Sequence, residues 1–472
     1  MLSSQPQPLT HLLQRLPNWL RLGIILAGLG LVSMLIGIAA ARQSTLGLLV
    51  LVGGPVAIAG ALLANRYFAT LVLLLPLTAL AMRPLALPVG NGSEMPISMI
   101  LSLGLIGLWL AAMLTRRRWE LLPTPFNRPL LAFMVVCIIS LPWGIVWADP
   151  VLNWWIMGNF RVTQTASLLM LLALMGLPFL IARFITRPWQ IWVYVWSFIG
   201  CGVLMTATQF FGIEQNLFSD QGLWGLWFVL PLTGLVVAHP GVARRWRWLG
   251  TGLVIWHLYL VVIRNSLWLS GWLPTIIGLL ALIFLHSRKA FAVVMILVVL
   301  AAAVGPGRHY LEQVTADNIE EGGLGRLEIW ERNLSIVGQH WLLGMGPAGY
   351  APYNMTYFRE DARSTHNNYF DIVAQFGVIG LGLWLWFATA VLWYGWRTVQ
   401  RARPGLVRTT AIVATAGWVA SLAAMMLGDW ILPFVYNQSI TGFRYAAYSW
   451  IFLGLLISAN RLEPQQPQAV AR

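Results

Sequence analysis

The stretch RSTHNNYFDIVAQFGVIG, residues 363–380, sets His366, Asn367 and Asn368 directly before an apolar run. An imidazole titrates near pH 6.5 when unperturbed and takes a proton from an attacking hydroxyl, and a helix N-terminus beside it favours the neutral, basic form. The plainer reading is a helix cap, in which Asn and His side chains satisfy free backbone N–H groups. Arginine supplies a second set of candidates: Arg326 in GGLGRLEIW, Arg264 in IRNSLW and Arg161 in GNFRVTQ. Guanidinium keeps its charge and contacts phosphate oxygens in pairs, so these side chains suit a phosphorylated substrate. Against that stand an ion pair of Arg326 with Glu328 or Glu331, and snorkelling of Arg264 and Arg161 to lipid head groups. Arg264 and Arg326 rank above Arg161, Arg308, Arg332, Arg359, Arg363 and Arg444. The GMGPAGY run at 344–350 lacks the strand before it and the Lys-Ser/Thr after it that a phosphate-cradling loop needs, so it is expected to be a turn closing a loop helix. No His, Cys, Asp and Glu cluster has metal-ligand spacing, and no Gly-x-Ser-x-Gly elbow occurs.

The elements that must position these residues are membrane helices. The chain of 472 residues is 58% hydrophobic and only 10% charged, with a mean hydropathy of +0.72, far outside the range of soluble domains. Apolar runs long enough to cross a hydrocarbon core as helices recur along it, which excludes a barrel. The expected fold class is all-α: a polytopic α-helical membrane protein of about 12–14 transmembrane helices with one long ordered outer loop containing short helices. Spans are placed at 19–40, 45–64, 67–82, 97–115, 127–147, 165–183, 188–211, 222–239, 248–263, 268–286, 289–306, 368–396, 408–428 and 442–459. Cys137 and Cys201 fall inside two of them and suggest lipid-phase packing, not a disulfide framework or a metal site. The first span is expected to be retained, since no small-residue cleavage site follows the polar N-terminal arm.

The net charge of +14 is spread over short loops and forms no single basic stripe, so nucleic acid is not the expected partner. With a cytoplasmic N-terminus, about 20 of the 30 Lys and Arg residues fall on the cytoplasmic side. Roughly 14 of the 16 acids fall outside, and both termini are then cytoplasmic. Ionisable residues cluster at span ends, whereas a proton- or ion-coupled transporter would carry them at mid-membrane depth.

One interruption stands out. Between the eleventh and twelfth spans lies a connection of about 60 residues, long enough to be functional or disordered. It divides the chain into N-terminal transmembrane helices (1–306), an outer loop (307–367) and C-terminal transmembrane helices (368–472). GRLEIWERNLSIVGQHW within it places Leu327, Trp330, Leu334 and Val337 at helical spacing, which predicts an amphipathic helix lying on the membrane domain with that face inward.

The block GRLEIWERNLSIVGQHWLLGMGPAGY followed by STHNNYFDIVAQFGVIGLGLWLW resembles the O-antigen ligase and polymerase superfamily of bacterial membrane glycosyltransferases. An Arg-x-x-x-Trp helix falls on Arg326 and Trp330, a glycine-rich turn on Gly344, Gly346 and Gly349, a His-Asn motif on His366 and Asn367, and a Gly-x-x-Gly on Gly377 and Gly380. Where the family often has a Ser-Arg-Gly-type motif, this chain reads IRNSLWLSGW, so Arg264 matches with a shift.

The resemblance implies transfer of a glycan from undecaprenyl diphosphate to an acceptor hydroxyl on the outer side of the bacterial inner membrane, with no metal or other cofactor. His366 would be the base and Arg326, Arg264 and Arg161 would hold the diphosphate, with Asn367, Trp330 and Gly346 in support. The implied partners are a polyprenyl-diphosphate-linked donor, a glycan, lipid or protein acceptor, and membrane lipids. Two alternatives stay open: a repeat-unit polymerase of the same superfamily, and a polytopic lipid or glycan transporter.

Overall fold

A computed structural model describes residues 66–80, 86–90, 93–153, 157–211, 213, 222–264, 269–303, 308, 312, 324–358 and 364–463. The spans expected at 19–40 and 45–64 lie outside the described residues. The chain divides into two units, Met1–Phe68 and Ala69–Arg472. Apart from Phe68 at its head, the first described helix belongs to the second unit, as do all the others.

Fifteen helices are described: α1 (Phe68–Leu80), α2 (Ile97–Arg116), α3 (Asn127–Val146), α4 (Met157–Phe184), α5 (Pro188–Phe210), α6 (Trp224–Ala238), α7 (Arg244–Leu258), α8 (Leu269–His286), α9 (Arg288–Ala303), α10 (Leu324–Val337), α11 (Ala351–Tyr357), α12 (Asn368–Arg401), α13 (Leu406–Ala424), α14 (Val435–Gln438) and α15 (Gly442–Leu462). A π-helical turn, Tyr259–Arg264, extends α7. Eight of these segments are long and apolar enough to cross a membrane, namely α2, α3, α5, α8, α12 and α13, most of α4, and α7 with its π turn. The chain is a multi-pass, all-α membrane protein. One antiparallel hairpin, β1 (Ala86–Gly90) with β2 (Ser93–Pro96), precedes α2 and pairs Leu87 with Met95; the sequence reading contained no strand there.

The interior is built from α6, α13 and α15. Helix α15 packs along α4 and α13, while α13 also packs on α6, α8 and α12. Its sequence LVRTTAIVATAGWVASLAA is rich in small residues, which let helix backbones approach where no water drives association. Where the backbones part, large rings fill the space: Trp384, Trp418 and Trp450 are fully buried, and Phe387 stacks on Trp450 at 5.8 Å. Cys137 and Cys201 are buried and free, on α3 and α5. Among the described residues, His257 departs from the expectation that ionisable groups keep to span ends: it is buried in α7 with its ring edge-on to Trp224 and Phe228.

The two ends of the bundle differ in chemistry. At one end Arg183 pairs with Glu120 at 2.8 Å, and Arg461 donates to the Ala182 and Ile185 carbonyls, each at 3.3 Å. At the other end α10 packs on α12, the turn after α10 meets Gly144 of α3 and Gln164 of α4, and His366, Asn367, Trp330 and Gly346 lie there.

Candidate functional site

The sequence-predicted helix exists as α10, and of the expected inward face Val337 is buried and Trp330 half-buried, but the two leucines are not. Leu327 and Leu334 are 58% and 50% exposed, while Ile329, Asn333, Ile336 and Val337 are buried. Trp330 is held against the head of α12. Its indole N–H donates to the Thr365 carbonyl at 2.8 Å, and its ring stacks on Phe370 at 4.8 Å. The buried Asn333 amide donates to the Ile329 carbonyl at 2.8 Å, while its Oδ1 has no partner among the described residues.

The turn after α10 does more than close that helix. Helix α12 is broken at Gly377, where φ is +67° and ψ is −171°. In an unbroken helix the Ala374 and Gln375 carbonyls would accept from the N–H groups four residues on. Here Met345 N–H donates to Ala374 and Gly346 N–H to Gln375, both at 2.9 Å, and Val378 N–H turns instead to the Trp341 carbonyl at 2.8 Å. The Gln375 side chain also accepts from Ala348 N–H at 2.7 Å. Gly344 and Gly346 have φ of +68° and +83°, conformations that L side chains rarely adopt. The glycine-rich turn is thus inserted into the break in α12, and Gln164 of α4 donates to the Met345 carbonyl from the far side at 3.3 Å.

His366 occupies the turn that leads into α12, with φ at +48°. Both neighbours are pinned. Thr365 is buried, its carbonyl held by Trp330 and its hydroxyl donated to Asp371 Oδ1 at 2.6 Å. Asn367 is the helix cap, its Oδ1 accepting from Tyr369 N–H at 2.9 Å. Asn368, expected to share that role, does something else. Its Oδ1 accepts from the Ile431 and Leu432 N–H groups and its amide donates to the Leu432 carbonyl at 2.7 Å, which ties the head of α12 to the segment before α14. Asp371, one turn into α12, accepts a second bond from the Tyr350 hydroxyl at 2.6 Å. Tyr350 in turn stacks on Phe434 at 4.3 Å.

These bonds surround a cavity of about 140 Å³ lined by His366, Ser364, Tyr350, Asn354, Tyr436 and Asn437. Asn354 Oδ1 is buried in its wall without a hydrogen-bond partner among the described residues, an acceptor suited to a hydroxyl ligand. Behind Asn437 lies Asp429, whose two carboxylate oxygens accept from Asn437 Nδ2 at 2.9 Å and from Phe434 N–H at 3.1 Å. Burial raises the Asp429 carboxyl above the usual carboxylate range, opposed by the hydrogen bonds from Phe434 N–H and Asn437 and, least, by His366.

The structure thus brings His366, Asn367, Trp330 and Gly346 into one connected set. Arg161 is exposed on α4, two residues from Thr163, which shares a side-chain hydrogen bond with Tyr436. Arg326 is in the first turn of α10 and Arg264 ends the π turn; their side chains lie outside the described residues, as do Arg359 and Arg363. Glu328, named as a partner for Arg326, pairs with Arg332. Arg444 is buried near the start of α15. Thr365, Asp371, Tyr350, Asp429 and Tyr436 were missed from sequence. The usable signal was a pair of acids, Asp371 and Asp429, set among apolar residues at span ends, where burial demands hydroxyl or amide partners.

Residues 254–385 match the family model for O-antigen ligase. The match runs from late α7 through the first half of α12 and includes Arg264, Arg326, Trp330, Gly346, His366 and Gly377, while Arg161 falls before it. The resemblance carried by the Arg326 and His366 blocks therefore holds. No curated protein matches the chain.

Proposed function

We propose that this membrane protein, which carries an O-antigen ligase segment at 254–385, transfers a glycan from a polyprenyl-diphosphate carrier to an acceptor hydroxyl. The observation that carries the reading is the placement of His366. Its imidazole lines a polar cavity, and its backbone is fixed on both sides by buried hydrogen bonds. Groups held in place before reaction need no reorganisation during it.

In the proposed step the acceptor oxygen attacks the anomeric carbon of the donor as its proton passes to His366. The bond from that carbon to the diphosphate oxygen breaks, and polyprenyl diphosphate leaves. Arg326 and Arg264, with Arg161, hold the diphosphate and stabilise the negative charge that grows on it. Guanidinium pairing makes diphosphate a good leaving group, so the reading needs no metal or other cofactor. Asn354 Oδ1 offers a further acceptor for a sugar hydroxyl. In this reading the helices described between 68 and 303 and between 368 and 462 form the membrane scaffold, and α10 and α11 cover the reacting centre on the outer side of a bacterial inner membrane.

The test is transfer of labelled glycan in membranes from cells lacking the native gene. His366→Ala is expected to reduce it by about 10²–10⁴-fold, the range for loss of a general base, with the protein still in the membrane. Unchanged transfer would overturn the reading. The surface polysaccharide of the deleted strain separates the two superfamily activities: unattached chains of normal length mark a ligase, and single-repeat products mark a polymerase.

A further inference from the structure

A second cavity, of about 340 Å³, opens beside the first and plays no part in the step above. Trp143, Trp147, Gln339, His340, Trp341 and Leu342 line it, from the end of α3 and the turn after α10. Trp147 and Trp341 are 59% and 56% exposed, and the Trp143 and Trp147 rings are tilted at 45° with centroids 5.6 Å apart. His340 is partly buried, and desolvation lowers its pKa below the ordinary imidazole value, opposed by the Asp149 carboxylate. Its Nε2 faces the Tyr353 hydroxyl at 3.2 Å, and that hydroxyl accepts from Asp149 N–H at 3.2 Å.

Three indoles with an amide and an imidazole between them form a wall of mixed character. A lipid chain would use the rings but make no use of the Gln339 amide or of the His340 imidazole. A pyranose ring uses both: its C–H face, slightly positive, lies on the negative face of an indole, and its hydroxyls reach the polar groups. The volume lies at the small end of the roughly 300–1,000 Å³ of small-ligand sites. Position supports the same class of ligand. Helix α11 stands between the two cavities, presenting Tyr353 to His340 while its Ala351, Asn354 and Met355 line the His366 cavity.

We propose that the Trp143–Trp147–Trp341 concavity is a carbohydrate subsite that seats one pyranose ring of the glycan handled at His366. The proposal rests on the transfer reading for the identity of that glycan. The ring belongs either to the donor glycan or to a glycan acceptor, and both present the same chemistry to the indoles.

The test uses the full chain in nanodiscs and, as probe, the free oligosaccharide released by mild acid from the surface polysaccharide of cells that make the protein. Trp147→Ala and Trp341→Ala are each expected to weaken binding about fivefold or more, in line with the worth of a ring contact, and Trp147→Phe by less than about twofold. In transfer assays the alanine variants raise KM with little change in kcat. A raised donor KM assigns the ring to the donor, and a raised acceptor KM to the acceptor. Brominated lipids test the membrane alternative: quenching of these tryptophans with sugar affinity unchanged in both alanine variants makes them interfacial anchors and overturns the proposal. Absence of oligosaccharide binding by the unaltered chain overturns it as well. Calorimetric binding needs no turnover, so binding without any transfer sinks the transfer reading alone. Transfer that depends on His366 but ignores both tryptophans sinks the subsite alone.

Discussion

His366 is held at φ +48°, a region that residues with a Cβ enter only when their surroundings impose it. Trp330 supplies much of that constraint, because its indole N–H holds the carbonyl of the residue before the imidazole. Trp330→Phe keeps the stack on Phe370 and removes only the hydrogen bond. A buried bond of this kind contributes about 1 kcal/mol net, so a small fall in melting temperature is expected. The effect on rate is larger, about tenfold to hundredfold in kcat, because a displacement of about 1 Å in a reacting group costs that much. A purely structural role for Trp330 predicts the opposite balance, a lowered melting temperature with unchanged kcat. Melting curves and steady-state kinetics on one preparation distinguish the two.

At the scale of elements, the break in α12 joins two segments far apart in the chain. Gly377 sits in a region of backbone space that is essentially closed to other residues, and a Cβ there would overlap the Leu342 carbonyl. Gly377→Ala is expected to destabilise the protein by at least about 1–3 kcal/mol from backbone strain alone. It should also displace the glycine-rich turn, leaving the Ala374 and Gln375 carbonyls short of donors. Gly382, five residues on, has open space around an added Cβ, and Gly382→Ala is expected to leave stability unchanged or slightly raised. Equal melting temperatures for the two variants would refute this account of the break. The sequence made part of this legible. The span limits at 97–115, 127–147, 188–211 and 268–286 fall within a few residues of α2, α3, α5 and α8, because hydropathy reports directly on which segments enter lipid. It also picked out Gly344, Gly346 and Gly377 as special. It did not reveal that the first two fill the gap opened by the third, since that pairing is made through backbone carbonyls, which leave no pattern in side chains. Periodicity misjudged part of α10: Leu327 and Leu334 promised burial and are exposed, while Val337 is buried as expected and Ile329, Asn333 and Ile336 are buried with it.

For the whole molecule, the charge bias of the sequence predicts a polarity. The basic loops adjoin the end where Arg183 meets Glu120 and Arg461 reaches the Ala182 carbonyl, and His366 lies at the opposite end with α10 and α11. A bacterial inner membrane retains positive loops on its cytoplasmic side, so His366 is expected to face outward, where a lipid-linked glycan would meet its acceptor. Cysteine labelling tests this on a nearly silent background, because Cys137 and Cys201 are both buried. Arg118, Lys289 and Ser335 are exposed positions at the two ends. Ser335→Cys on α10 should react with a membrane-impermeant maleimide in intact spheroplasts. Arg118→Cys and Lys289→Cys should react only after the membrane is opened. The reverse pattern would turn His366 toward the cytoplasm and remove the basis for outer-side transfer. Labelling of all three in intact spheroplasts would mean that the helices do not cross the bilayer in the order that their hydropathy and packing require.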